Sequence, residues 1–103
     1  MTGLPIACTL PPDAYTARQT WIADLNRAYL LAHEERGLVL ELRYSLAAAH
    51  LLTELVQKES VCCAFLQFER TVTSDAIVLR ITTPVEAGAS ARLILAPFIE
   101  GSC

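Results

Sequence analysis

An alternation of apolar and charged residues at positions 38–44 constrains the fold of this chain more than any other feature. On a strand with this spacing, Glu41 and Arg43 point to one face, and the opposite face receives Leu38, Leu40, Leu42 and Tyr44. A strand that is apolar on one face only must be covered on that face by another layer of structure. The alternation therefore predicts a sheet that is packed on one side and open to water on the other.

Other segments supply the rest of the sheet. Two β-rich runs at 65–72 and 77–82 are separated by Thr73-Ser74-Asp75-Ala76, which is short enough to predict an antiparallel hairpin. Residues 6–10, Ile-Ala-Cys-Thr-Leu, predict a further short strand or an extended lead-in that ends at Pro11-Pro12.

Three segments have helical spacing. The first begins at Pro12 and is predicted to run to Gly37, with an inward stripe of Tyr15, Arg18, Ile22, Leu25, Tyr29 and Ala32. The second follows Ser45 as N-cap and ends near Cys62-Cys63, with an inward stripe of Leu46, Ala49, Leu52, Leu55 and Val56. The third opens at a predicted capping box, Thr83-Pro84-Val85-Glu86, runs to about Leu95 and is predicted to end at Pro97.

The predicted order is thus β-α-β-α-β-β-α, within one domain that spans residues 1–103. Because the hairpin fixes at least one antiparallel pair, the order predicts an α+β fold. We expect a two-layer sandwich, ferredoxin-like in general style, with helices on one face of the sheet.

Charge and composition narrow the function classes. The formal net charge is −3 with eight basic and eleven acidic residues, and Lys58 is the single lysine, so nucleic-acid binding is not expected. No apolar stretch reaches the length of a membrane span or a signal peptide, which predicts a cytoplasmic protein without a membrane partner. The hydrophobic content of 53% is high for a small monomer and predicts a homodimer.

The segment Glu59-Ser60-Val61-Cys62-Cys63 is the main candidate site, since in the reducing cytoplasm unusual cysteine placement indicates metal or redox chemistry. On a helix, Glu59 lies three and four positions before the two thiols. Cys8 and Cys62-Cys63 both fall at predicted strand–helix junctions, and three thiolates suit mercuric, arsenite or cuprous ions, or zinc with a further ligand. The predicted metal set is Cys8, Cys62 and Cys63, with Glu59 and Arg18 behind it; Arg18 is expected to pair with Glu59 or another buried carboxylate, or to extend to the surface.

Several alternatives remain open at this point. Cysteine is often buried as a small apolar residue, which would make the chain a dimeric interaction module with structural cysteines. Oxidation of Cys62 or Cys63, resolved by Cys8, would make it a thiol redox sensor. Cys103 is expected to be an exposed terminal thiol, with the capping of a metal site as the alternative. His33 is assigned to a helix end and His50 to a helix face. No hydrolytic triad, phosphate loop or two-histidine metal spacing is present, so hydrolytic catalysis is not expected, and thiol redox catalysis is the enzymatic alternative that stays open.

These motifs resemble those of a group of small, largely uncharacterised bacterial proteins. The shared pattern is an N-terminal Cys8-Thr9-Leu10, Arg18 in the first helix, and Glu59-x-x-Cys62-Cys63-x-Phe65-x-x-Phe68 leading into a hairpin. Similar sequences commonly have proline after the cysteine pair, whereas this chain has Ala64, which predicts a looser turn. Some members are associated with heavy-metal resistance regions, including those for mercury, so the resemblance implies a metal or metalloid role and assigns no reaction.

Overall fold

A four-stranded antiparallel sheet is covered on one face by helices in the part of the chain that can be described. The computed structural model describes residues 12–62 and 64–100, without the side chains of residues 12–15, 62 and 100. The elements are α1 (Pro12–Tyr29), β1 (Leu30–Arg36), β2 (Val39–Tyr44), α2 (Ala49–Cys62), β3 (Gln67–Val72), β4 (Ile77–Thr82) and α3 (Ala91–Glu100). The predicted two-layer α+β class is confirmed. The strand predicted at residues 6–10 lies outside the described residues.

The first helix is shorter than predicted, because residues 30–36 form a strand. Helix α1 ends at Tyr29, whose carbonyl accepts the backbone N–H of Ser45 at 3.0 Å. Strand β1 then pairs with β2 through the two-residue loop Gly37-Leu38, in which Gly37 has a φ of +59°. Glycine at this position suits a type II′ hairpin turn, so it begins a hairpin and does not end a helix. Pairing with β2 overrides the helical preference of Leu-Leu-Ala-His-Glu-Glu-Arg, which is only a weak local bias.

The strand order is β1-β2-β4-β3, and every neighbouring pair is antiparallel. The predicted hairpin is confirmed, since β3 and β4 pair from Gln67 opposite Thr82 to Val72 opposite Ile77. The predicted alternation in β2 is also confirmed. The fully buried core of the sheet consists of Leu40, Leu42, Tyr44, Ile77, Leu79 and Ile81.

Helix α2 begins after a short 3₁₀ turn, Leu46–Ala48, that Ser45 caps by accepting the N–H of Ala47 at 3.2 Å. Leu52 and Leu55 are fully buried, as predicted. Leu46 lies in the 3₁₀ turn, outside the helical stripe, and is exposed, as is Ala49.

The last helix differs from its prediction at both ends. Val85–Ser90 is a 3₁₀ segment with a kink at Gly88, whose φ is +50°, and α3 starts only at Ala91. The predicted capping box is wrong: the Thr83 hydroxyl donates to the Leu38 carbonyl at 2.9 Å and does not cap a helix. Pro97 lies inside α3, where it leaves the carbonyl of exposed Leu93 without its helical donor but open to hydration.

Candidate functional site

A buried ion pair joins the N-terminal half of α1 to the last turns of α2. The Arg18 guanidinium donates from Nη1 to Oε2 of Glu59 at 2.5 Å, and their side chains are 16% and 4% exposed. Of the three alternatives that the sequence left open for Arg18, the structure shows the pair with Glu59. Charged groups at such low exposure are maintained by their partners, because an unpaired buried charge is costly.

The residue before Glu59 makes a second contact with the same helix. Lys58 Nζ lies 4.9 Å from the ring centroid of Trp21, and it also pairs with Glu54 at 2.7 Å. Trp21 is three positions after Arg18, one turn along α1. Two consecutive residues of α2 thus contact successive turns of α1. Lys58 makes a cation–π contact with Trp21, and Glu59 forms an ion pair with Arg18. This double contact fixes the two helices relative to each other one turn before α2 ends at Cys62.

Most of the predicted metal ligands lie outside the residues that the structure describes. Cys8, Cys63 and Cys103 are outside the described residues, and Cys62 is described only as the last backbone position of α2. Within the described residues, no group of three or more His, Cys, Asp or Glu side chains could hold a metal ion. Arg18 and Glu59 are therefore the predicted site residues that the structure brings together.

Both histidines are exposed. The assignment of His33 to a helix end was wrong, since it lies in the edge strand β1, paired with Leu42. His50 lies on the outer surface of the first turn of α2, as predicted.

A buried hydrogen-bond network that the sequence analysis missed connects α1, β2 and α3. Asn26 Nδ2 donates to the carbonyls of Phe98 and Ile99 at 2.6 and 3.0 Å, and its Oδ1 accepts the Tyr44 hydroxyl at 2.6 Å. Burial of the phenol raises the pKa of Tyr44. The sequence signal for this network was an asparagine on the inward stripe of α1. Such a residue indicates a buried amide that forms hydrogen bonds with the backbone at the end of another element. We infer that this network stabilises the fold, since the polar atoms of Asn26 and the Tyr44 hydroxyl are already paired within it.

Gln19 is the second missed residue. Its side chain is buried, and Oε1 has no hydrogen-bond partner among the described residues. It follows Arg18 directly on α1, in the half of the helix that meets α2. A buried acceptor without a donor lowers stability, so this position is available to a water or another donor.

The open face of the sheet carries charges of both signs. Glu41 on β2 lies between β1 and β4, and its Oε2 accepts two hydrogen bonds from Arg80 at 3.0 and 2.7 Å. The hydrogen bond and charge of Glu41, together with the charge of Glu69, raise the pKa of Arg80. Arg43 approaches Asp75 at 3.5 Å on the same face. Paired charges of both signs make this face of the sheet a solvated surface.

No helix within the described residues is both long and apolar enough to span a membrane. Comparison of the chain with known proteins gives no match among family models, curated proteins or solved structures.

Proposed function

We propose that this chain is a cytoplasmic thiol protein that binds one soft metal or metalloid ion through Cys8, Cys62 and Cys63. Mercuric, arsenite, cuprous and zinc ions are the candidates, and metal resistance is the corresponding process. In this proposal, Arg18 and Glu59 hold the two chain segments together without ligating the ion. The observation that carries the proposal is the buried Arg18–Glu59 pair, because it brings the start of α1 beside the end of α2.

Chain geometry makes the meeting of the three sulfurs feasible. Cys62 lies three residues after Glu59 in α2, a rise of about 4.5 Å on nearly the same side of the helix. Arg18 lies about 9 Å along the helix axis from Pro12. Cys8 precedes Pro12 by four residues, so it lies within about 14 Å of the start of α1. These spans leave Cys8 within reach of the end of α2, which supports a site that is shared by the three cysteines.

The position of Cys62 favours metal binding over thiol redox catalysis. Cys62 is the last residue of α2, and the C-terminus of a helix carries partial negative charge that opposes a free thiolate. Reactive cysteines typically lie at helix N-termini or beside unpaired cations, whereas Arg18 is engaged with Glu59. A thiophilic ion does not require a preformed thiolate, since it displaces the thiol protons as it binds.

The test is a titration of the fully reduced protein with each of the four ions, followed by thiolate-to-metal absorbance. We expect tight binding of one ion per chain that is lost in Cys62→Ser and in Cys63→Ser and weakened in Cys8→Ser. Cys103→Ser is the matched control and should bind as the wild type does. Equal affinity in the wild type and the Cys62→Ser variant would contradict the proposal.

A homodimeric interaction module is the second candidate, and the exposed apolar side chains favour it. Among the side chains that the structure describes, these are Leu31, Leu46, Val61, Val72, Val85 and Leu93. In this case the cysteines are packing residues, and Cys62→Ser should lower the free energy of unfolding by about 1 kcal/mol without affecting ion binding. Sedimentation equilibrium tests it directly, and a folded monomer at micromolar concentration would exclude a stable dimer.

A further inference from the structure

Strand β3 is an edge of the described sheet, and alternate residues of this strand form backbone hydrogen bonds with β4. Thr73 donates its N–H to the Ala76 carbonyl at 2.8 Å, which makes this couple a hydrogen-bonded pair at the end of the hairpin. In an antiparallel ladder, such pairs recur at every second residue. Gln67, Glu69 and Thr71 therefore bond to β4. The backbone groups of the alternate residues, Phe68, Arg70 and Val72, point away from the described sheet.

A groove lies beside this free edge, between β3 and α2. It has a volume of about 240 Å³ and is lined by Thr53, Val56 and Gln57 of α2 and by Phe68 and Arg70 of β3. The side chains of Phe68 and Arg70 are on the helical side of the sheet, where Arg70 donates to the Thr53 hydroxyl. A strand added at this edge would thus pair with free backbone groups and place alternate side chains over the groove.

We propose that residues 6–10 of this chain are the occupant, as a fifth strand antiparallel to β3. The Arg18–Glu59 pair sets the start of α1 beside the end of α2, and α2 leads within five residues to the start of β3. The chain that enters α1 therefore arrives beside the end of α2, the helix that leads to β3. It also runs toward the end of the sheet at which β3 begins, which makes the added strand antiparallel.

The sequence of this segment matches the groove. In a strand, Ile6, Cys8 and Leu10 share one face, and Ala7 and Thr9 share the other. The apolar face covers the groove, and the residues on it stand opposite Phe68 and Arg70, with their N–H groups directed at β3. Cys8 then faces α2, the helix that ends at Cys62, although the inference does not depend on metal binding.

The opposite edge of the sheet fits this segment less well. The residues of β1 on the helical side include His33 and Glu35, both exposed and polar, and Glu35 lies 3.8 Å from Arg92 of α3. Pairing there would also be parallel to β1, because both strands run toward the same end of the sheet. An apolar strand face would cover Glu35 and Arg92 there, whereas the groove beside β3 has one charged residue, Arg70, together with Val56 and Phe68.

The test is residue-resolved amide hydrogen exchange on the full-length, reduced and metal-free protein. We expect the N–H groups of Phe68 and Arg70 to exchange at least about tenfold more slowly than unprotected amides, independently of protein concentration. Ile6→Asp places a charge toward the groove and should abolish that protection, while the Glu69 amide stays protected by β4. Ala7→Asp adds the same charge on the opposite face and should leave all three amides unchanged.

Three results would overturn the inference. One is free exchange at Phe68 and Arg70 in the wild type. Another is protection that survives Ile6→Asp, and the third is protection that rises with protein concentration, which would assign the edge to a second copy of the chain. None of these results bears on ion affinity, so failure here and failure of the proposed metal site are distinguishable.

Discussion

The Arg18–Glu59 pair should be strongly coupled, and its coupling energy can be estimated from its geometry. Opposite charges about 4 Å apart attract by about 4 kcal/mol at the effective dielectric constant of 20 that suits protein sites. Removal of one partner from a buried pair costs about 3–5 kcal/mol, because the other charge remains buried. Both side chains have low exposure, and Arg18, at 16%, has more access to water than Glu59, at 4%.

This asymmetry predicts unequal single variants. Arg18→Met takes the guanidinium away from the more buried charge and should lower the free energy of unfolding by about 4 kcal/mol, while Glu59→Gln leaves the more exposed charge in place and should lower it by about 2 kcal/mol. The double variant removes both desolvation costs and should lose only about 2–3 kcal/mol, which gives a coupling of about 3–4 kcal/mol.

Urea unfolding of the four proteins, followed by circular dichroism, provides the cycle. The matched control is the exposed pair Asp24–Arg27 on the same helix, with side chains 67% and 70% exposed. Its coupling energy should be zero within experimental error. A coupling for Arg18–Glu59 as small as that of the control would refute the view that this pair holds α1 against α2.

Three further predictions concern the core. Asn26→Ala should lower the free energy of unfolding by about 2–4 kcal/mol in urea titrations, because it leaves the Tyr44 hydroxyl and two carbonyls of α3 without partners; a loss below about 1 kcal/mol would contradict the network. Burial raises the pKa of Tyr44, so the folded state retains the phenolic proton more tightly than the unfolded state, and stability should be complete below about pH 10 and fall as pH rises above it. Thermal melts between pH 8 and 11 should show this fall in the wild type and less of it in Tyr44→Phe. Gln19→Leu removes a buried acceptor without a partner and should leave the melting temperature unchanged or higher, whereas a clear decrease would indicate an ordered donor at Oε1.

The strands with strict alternation could be predicted from the sequence, because their period of two matches the one-sided burial of the sheet. Leu40, Leu42 and Tyr44 are buried as this period requires, and β4 has the predicted bounds. Residues 30–36 could not be assigned in this way, since their helical preference is local and the pairing that overrides it is not. Gly37 is compatible with either a helix end or a hairpin turn, and only the partner strand decides between them.

The ion pair of the candidate site was predictable in part. Arg18 on an apolar stripe and Glu59 near a second one indicated two buried charges that needed partners. Their pairing depends on how α1 crosses α2, which no local pattern encodes. Asn26 and Gln19 were missed because a single polar residue on a helical stripe does not reveal its partner, or the lack of one, until the other helices are packed against α1.

The number of sulfur ligands around a bound ion tests the central claim most directly. X-ray absorption of the zinc-loaded, reduced protein distinguishes sulfur, at about 2.3 Å from zinc, from nitrogen or oxygen, at about 2.0–2.1 Å. The proposed site predicts three sulfur ligands in the wild type and in Cys103→Ser, and two in Cys8→Ser. A sulfur count that is the same in the wild type and Cys8→Ser, or a protein that retains no zinc, mercuric, arsenite or cuprous ion, would contradict a three-thiolate site.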